Sequence, residues 1–437
     1  NMGANDLSLT GAVNLGANDS LTITGSGKVT GDGTEAITAK AIVASAVTGV
    51  VTLLEIQSDQ VGSVTTGAGN DVIETTDHEV NGANKDLSIS TGKGNDKLTL
   101  HAEGADGESL TIDMGEGTDT LAFADDQTMT RTGTDLNTIA GVEKLTYGGA
   151  FTVDSSAISG QTWEISESAS AVDNLTVTVL ASDTSIDLSG LTVTAANAAG
   201  VAGDTFVVNA SGDGVDGVVS IKGALIAKNT ITGHDLDNTT IVGGNKADVL
   251  NGGAGSNTLT GGTGADVFIT GNGTDTITDF VVGASNDDIH IDLSGVEAQS
   301  TMDFVRLDDA DSVTADGDIV GTKIQGVFDA ANLTQDTNLV ILHGATIAST
   351  SALETALEAG GDYAMTATTG GLDAGDGFLV TYSDGINSYL ATVETTAGIA
   401  NDAIAAAGDL VATNVTIFTG ISDVDTILAA QFADIIA

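Results

Sequence analysis

Four nine-residue units laid end to end constrain this chain more than any other feature. They are GGNKADVLN (Gly243–Asn251), GGAGSNTLT (Gly252–Thr260), GGTGADVFI (Gly261–Ile269) and TGNGTDTIT (Thr270–Thr278). The sixth place holds Asp248, Asn257, Asp266 and Asp275; the eighth holds Leu250, Leu259, Phe268 and Ile277. Glycines permit the backbone angles of a tight turn and leave carbonyl oxygens unshielded, and the sixth residue adds an oxygen side chain. The eighth residue then points inward from a short strand. Two units make one coil, so Asp248 and Asp266 are expected to stack on one edge and Asn257 and Asp275 on the other. Each edge becomes a ladder of hard oxygen ligands, which suits Ca2+ better than a softer metal. The candidate ligands of this block are Gly244, Asp248, Gly253, Gly255, Asn257, Gly262, Gly264, Asp266, Gly271, Gly273 and Asp275.

These units resemble the calcium-binding nonapeptide repeats of the RTX family, GGxGxDxUx with U a large apolar residue. Asp275–Phe280 followed by Asp287–Leu293 looks like the segment that closes a β-roll in that family, and adds Asp287 and Asp288 to the candidates. The match departs from the pattern at Lys246, which replaces a turn glycine, at Asn257, whose neutral amide weakens one position, and at Thr270. The resemblance implies several bound Ca2+ ions, an extracellular location and export by a type I secretion machine.

A looser block precedes it. Thr66–Glu74, Thr91–Thr99 and Met114–Ala122 each keep G-x-G-x-D-x-U, with aspartates 25 and 23 residues apart. One such unit per coil, with a return strand at Leu87–Ser90 or Ser109–Asp113, makes a wider parallel solenoid with its turns on one edge. Its candidate ligands are Gly67, Gly69, Asp71, Gly92, Gly94, Asp96, Gly115, Gly117 and Asp119. Further upstream, Met2–Leu9 recurs in degenerate form as Leu15–Ile23, a β-coil in which Asp6 and Asp19 fit either a metal rung or a plain Asn-Asp turn.

Composition sets the class. Against 61 Asp+Glu stand 12 Lys+Arg, a formal charge of −49 that repels nucleic acid and anionic lipid and attracts divalent cations. A hydrophobic content of 41% is too high for a disordered acidic chain. There is no Cys, so disulfides and the common zinc frameworks are excluded, and calcium is the natural substitute as a staple in an extracellular chain. No run of 18 apolar residues is present, so no membrane-spanning helix is expected. The chain opens at Asn1 without a charged-then-apolar leader, as a fragment or processed product would.

The expected fold is mainly β, with parallel β-solenoid or β-roll calcium-binding blocks, a β-rich connector and a small α+β C-terminal domain. The divisions fall at 1–145 (solenoid), 146–230 (connector), 231–298 (nonapeptide roll) and 299–437 (α+β). The connector alternates as strands at Leu175–Val179, Leu191–Thr194 and Thr205–Val208 around Trp163, and suits either a continued coil or a separate sandwich. Beyond Leu293, strands are expected at Asn338–His343, Gly377–Ser383, Asn387–Val393 and Val415–Thr419, with a hairpin at Asp384-Gly385. Helical signals mark Ser351–Ala359, Asn401–Ala412 and an amphipathic terminal helix over Asp423–Ala437, the place where the RTX resemblance puts a secretion signal.

No H-E-x-x-H, G-x-S-x-G or phosphate-cradling loop motif occurs, and the five histidines His78, His101, His234, His290 and His343 lack ligand spacing. The pairs Asp287-Asp288 and Asp308-Asp309 offer acid–base chemistry in principle, but 3% aromatics leaves little to line a sugar cleft. A non-enzymatic role is expected. Surface-layer proteins exported by type I secretion resemble this chain in being acidic, rich in Thr, Ala, Gly and Asn, poor in Lys and free of Cys. That resemblance implies a calcium-ordered subunit of a bacterial surface layer or related lattice, with itself, the secretion machine and a cell-surface polysaccharide as partners. An RTX adhesin or matrix filament, and the secretion tail of a larger enzyme, are the alternatives.

Overall fold

The computed structural model describes residues 3–436 apart from 16–17, 32, 34–36, 58–60, 76–86, 102–109, 125–127, 130–137, 148–149, 168–173, 194–204, 212–219, 236–237, 271–272, 284–285, 293–302, 306, 308–319, 331–332, 334–336, 368–370, 401 and 428–430. The expectations on His78, Gly271, Leu293 and Asp308-Asp309 lie outside the described residues. The chain forms two compact units, Asn1–Asn209 with Ala224–Lys228, and Ala210–Gly223 with Asn229–Ala437. The structure is mainly β with parallel sheets.

In the first unit successive strands from Ala41–Val47 to Thr120–Ala124 alternate between two parallel sheets, because inward apolar residues one coil apart stack on one another. Leu53, Ile73, Leu98, Leu121, Leu145 and Ile165 are in register down one sheet. Ile42, Val64, Ile89, Ile112 and Ile139 are in register down the other. Each of these side chains is at most 7% exposed. From Thr128 a third parallel sheet joins, through Thr128–Met129, Ala150–Asp154, Asn174–Thr178 and Thr205–Asn209. The stretch expected as a connector thus continues the coil up to Asn209, with Trp163 buried beside the strand Glu164–Glu167.

The second unit begins as a narrower roll. Ile231, Leu250, Phe268 and Ile289 are in register in one sheet, and Ile221, Ile241, Leu259 and Ile277 in the other. The four eighth-place residues are therefore the roll's core, each 0% exposed. The strand Leu410–Phe418 then adds in parallel to Asp275–Ile277, and Ser388–Thr395 and Asp376–Ser383 follow antiparallel. The hairpin at Asp384-Gly385 is present, with Ser383 opposite Ser388. A separate core around Phe378, Val380, Val393, Leu353 and Leu357 packs the helix Thr350–Leu357 onto this extension. That helix begins where Ser349 caps it, its side chain accepting the Ala352 N–H at 3.2 Å.

Two expected helices are not helices. Asn401–Ala412 is interrupted by left-handed backbone at Asp402 (φ 56) and Gly408 (φ 88), and from Leu410 the β-branched run Val411, Thr413, Val415, Thr416, Ile417 takes a place inside a sheet. Asp423–Ala437 contains a 3₁₀ turn at Val424–Thr426 and a strand at Phe432–Ile436. That strand pairs in parallel with Asp288–Asp292, whose backbone groups would otherwise be unpaired at the sheet's edge. An open ladder of hydrogen bonds outweighs a helical spacing of apolar residues in so short a segment.

Candidate metal centre

The ligand-spaced aspartates form three columns, each built by the same bond. In the first unit Asp71 Oδ1 accepts the Val51 N–H, Asp96 Oδ1 the Asp71 N–H and Asp119 Oδ1 the Asp96 N–H, each at 2.7 Å. In the second, Asp248 Oδ1 accepts the Asn229 N–H at 2.7 Å, Asp266 Oδ1 the Asp248 N–H at 2.8 Å and Asp287 Oδ1 the Asp266 N–H at 3.0 Å. On the opposite edge Asn257 Oδ1 accepts the Thr239 N–H at 2.8 Å, and Asp275 Oδ1 accepts the Asn257 N–H at 3.1 Å. Each carboxylate thus closes the turn one coil earlier. All of these aspartates are at most 2% exposed.

One oxygen of each carboxylate does this structural work; the other is free in several rungs. Oδ2 of Asp71, Asp96, Asp119 and Asp275 is buried with no hydrogen-bond partner among the described residues. Such an anionic oxygen is costly to bury alone. Burial accordingly raises the carboxyl pKa of Asp71, Asp119, Asp248 and Asp266 to about 6 and of Asp275 to about 7, against partial relief from the backbone N–H bonds. Asp96 and Asp287 shift upward for the same reason.

The glycines complete the cradle. A Cβ added at Gly94 (φ 128) would collide with the Gly69 carbonyl, and one at Gly273 (φ 128) with the Gly255 carbonyl. The same stacking relates Gly67 to Gly92, Gly92 to Gly115, Gly94 to Gly117 and Gly244 to Gly262, while Gly253 faces the His234 carbonyl and Gly264 that of Lys246. Carbonyl oxygens of one turn therefore point at the next turn beside the carboxylate column. Lys246 fills its unit's glycine place without breaking the row, because only its carbonyl is used there.

Among the described residues no three His, Cys, Asp or Glu side chains converge on one point. The donor set is a buried carboxylate oxygen with backbone carbonyls, which fits a hard cation of Ca2+ type and gives a thiolate- or imidazole-seeking metal nothing to hold. When bound, such an ion neutralises charge that the fold has already desolvated.

Residues 242–277 match the model of the RTX calcium-binding nonapeptide repeat, in four copies. The chain carries RTX calcium-binding nonapeptide repeats. No curated protein and no solved structure matches it. Its repeats mark it as a calcium-binding protein of the secreted kind. The matched residues hold the Asp248–Asp266 and Asn257–Asp275 pairs; the column of Asp71, Asp96 and Asp119 lies outside the match, in coils of longer period.

Of the adjacent pair Asp287-Asp288, only Asp287 joins the column. Asp288 opens a strand opposite Val267, since neighbouring residues of a strand face opposite sides. Four participants escape the G-x-G-x-D-x-U pattern. Glu143 continues the first column, its Oε2 accepting the Asp119 N–H at 2.8 Å. Its distance of 24 residues from Asp119 was the available signal. Asn229 and Thr239 lie under the two later columns, 19 and 18 residues before Asp248 and Asn257. Asp279 clamps the third repeat, accepting the Gly261 and Gly262 N–H groups at 2.9 and 2.8 Å.

Proposed function

We propose that this chain is a structural extracellular subunit, folded by Ca2+ after type I secretion and assembling with copies of itself into a bacterial surface layer or related lattice. The observation that carries the self-association is a sheet face whose outward rows hold a single charge. In the first unit two outward rows run in register across six strands: Ser20, Ala41, Ser63, Ser88, Thr111, Thr138, and Thr22, Val43, Thr65, Ser90, Asp113, Ala140. Asp113 is the single charged residue in them. The outward face of the neighbouring sheet carries Glu74, Lys97, Lys144 and Glu164, partly as the Lys144–Glu164 ion pair at 3.3 Å. On a chain of formal charge −49, like copies repel wherever carboxylates meet, so a flat hydroxyl and methyl surface is the place they can approach.

At rung spacings of ~4.8 Å such a face covers roughly 300–400 Å², well below the ~800 Å² per partner of a stable pair. A single contact of this size is weak and becomes effective through repetition, as in a lattice. Calcium supports the same end, since each ion cancels two of the negative charges that keep copies apart.

A catalytic role is not part of the reading. A polar cleft of about 250 Å³ in the second unit is lined by residues including Asp235, Asn251 and Asp292, none of the lining residues being aromatic. Cell-surface polysaccharide is the proposed anchor. Electron microscopy and light scattering of the chain across a calcium titration test the proposal. Ordered sheets that appear near millimolar Ca2+ and dissolve on chelation are expected; a protein that folds with calcium yet stays monomeric at high concentration refutes self-assembly and favours the adhesin or secretion-tail readings.

A further inference from the structure

The last rung of the Asp248–Asp266–Asp287 column is held from the far end of the chain. Gln431, 1% exposed, extends its side chain into the loop that presents Asp287. Its Nε2 donates to the Asp287 carbonyl at 2.8 Å and the Val281 carbonyl at 3.2 Å, and its Oε1 accepts the Gly283 N–H at 3.0 Å. Asp287 fastens the same loop from within: Oδ2 accepts the Val281 N–H at 2.8 Å while Oδ1 reaches the Asp266 N–H at 3.0 Å. Directly after Gln431 the strand Phe432–Ile436 begins, and it pairs with Asp288–Asp292, the strand that leaves this loop. One buried amide therefore joins the end of a ligand column to the start of the C-terminal strand.

We propose that Gln431 is a positioning residue that couples cation occupancy at the Asp266–Asp287 rung to docking of the C-terminal strand Phe432–Ile436. The coupling follows from shared geometry. The Val281 peptide gives its N–H to Asp287 and its carbonyl to Gln431, so the carboxylate and the amide grip opposite ends of one residue's backbone. If Asp287 leaves its place, Gln431 loses its bonds to the loop together, and buried polar groups without partners are costly. If the strand leaves, the loop loses the amide that holds the Asp287 carbonyl. By linkage, whatever factor the ion adds to strand docking the docked strand adds to ion binding. The C-terminal segment is then unpaired chain before calcium and a sheet strand after it. This inference rests on the calcium reading of the Asp266–Asp287 rung.

Hydrogen exchange read by mass spectrometry on the full chain, across a calcium titration, tests it with Gln431→Ala and Gln431→Glu. The glutamate variant keeps the shape and the acceptor for Gly283 but removes both donated bonds, so it carries the test where the alanine variant fails to fold. In the wild type, 281–292 and 432–436 gain protection at one shared calcium midpoint. In the variants both midpoints rise together by roughly fivefold or more, the lower end of ordinary coupling, while 66–123 keeps its own. The proposal is overturned if 281–292 orders at the wild-type midpoint in both variants, or if 66–123 moves by the same factor, which marks a general loss of folding. A wild type with no calcium-dependent protection anywhere in 243–292 sinks the calcium reading itself, and is recognisable because the variants are then not needed to see it.

Discussion

Asp266 and Asp248, 18 residues apart, are joined by a 2.8 Å bond from the Asp248 N–H to Asp266 Oδ1, so each aspartate is at once a rung and the support of the rung before it. Removing one carboxylate therefore opens a turn as well as subtracting a charge. Asp266→Ala is expected to raise the calcium midpoint of folding clearly, followed by far-UV circular dichroism. At ~1 mM Ca2+ and a site constant of ~0.1 mM, one site contributes RT ln 11, about 1.4 kcal/mol, to which a lost buried hydrogen bond adds a comparable amount. An unchanged midpoint would remove Asp266 from the ligand set.

Asn257 occupies the sixth place with an amide, and its Nδ2 donates to Asp275 Oδ1 at 2.8 Å. Asn257→Asp replaces that donor with a second carboxylate against the one whose pKa burial already raises to about 7. The variant should be less stable than wild type in chelator and regain the loss, or exceed it, in millimolar calcium. Equal stability of the two in chelator would show that the edge does not feel the added charge.

The pH dependence without metal runs opposite to that of an ordinary salt-bridged protein. Asp71, Asp119, Asp248, Asp266 and Asp275 have folded pKa values of about 6 to 7, above the ordinary 3.8, so the folded state binds more protons than the unfolded one. Their contribution is fully present below about pH 4 and is lost as pH rises through 6 to 7. In chelator the melting temperature should be higher at pH 5 than at pH 7.5. In calcium the order reverses, because protons compete with the ion. Scanning calorimetry at the two pH values, with and without Ca2+, reads both signs.

Gly273 and Gly420 both have positive φ, 128° and 79°, but a Cβ at Gly273 meets the Gly255 carbonyl whereas one at Gly420 meets nothing within 4 Å. Gly420→Ala should cost only the left-handed strain, about 1–2 kcal/mol. Gly273→Ala should cost distinctly more and also weaken calcium binding, since the stacked turns must separate. Chemical denaturation of both variants in saturating calcium compares them; equal losses would mean the turns are not in contact as described.

Ser88 and Thr111 face outward, opposite one another in the sheet whose outward rows hold only Asp113 as a charge. The double substitution Ser88→Glu and Thr111→Glu places two charges in that face without touching a ligand turn. Assembly measured by light scattering should be lost while the calcium midpoint of folding stays put. Assembly at wild-type concentration would move the contact elsewhere.

Much of this was open to inspection in the amino-acid order. A period of nine with Leu250, Leu259, Phe268 and Ile277 at the eighth place can be buried by one arrangement, a coil of short strands, and a coil of two units sets Asp248 above Asp266 by counting alone. The longer coils of the first unit were legible at Asp71, Asp96 and Asp119 for the same reason. Glu143 was not, since its turn keeps the spacing of the column but not the residues of the motif.

What tertiary structure decided lies where a segment's local preference competes with an open edge. Nothing in the order of residues after Asp423 distinguishes an amphipathic helix from a strand; the unpaired backbone of Asp288–Asp292, more than 130 residues away, makes it a strand, and Leu410–Phe418 completes the other sheet beside Asp275–Ile277 in the same way. Periodicity reports which residues a chain can bury together. Which edge remains to be paired is a property of the folded sheets, and hydrogen bonds between segments so distant leave no spacing in the sequence to read.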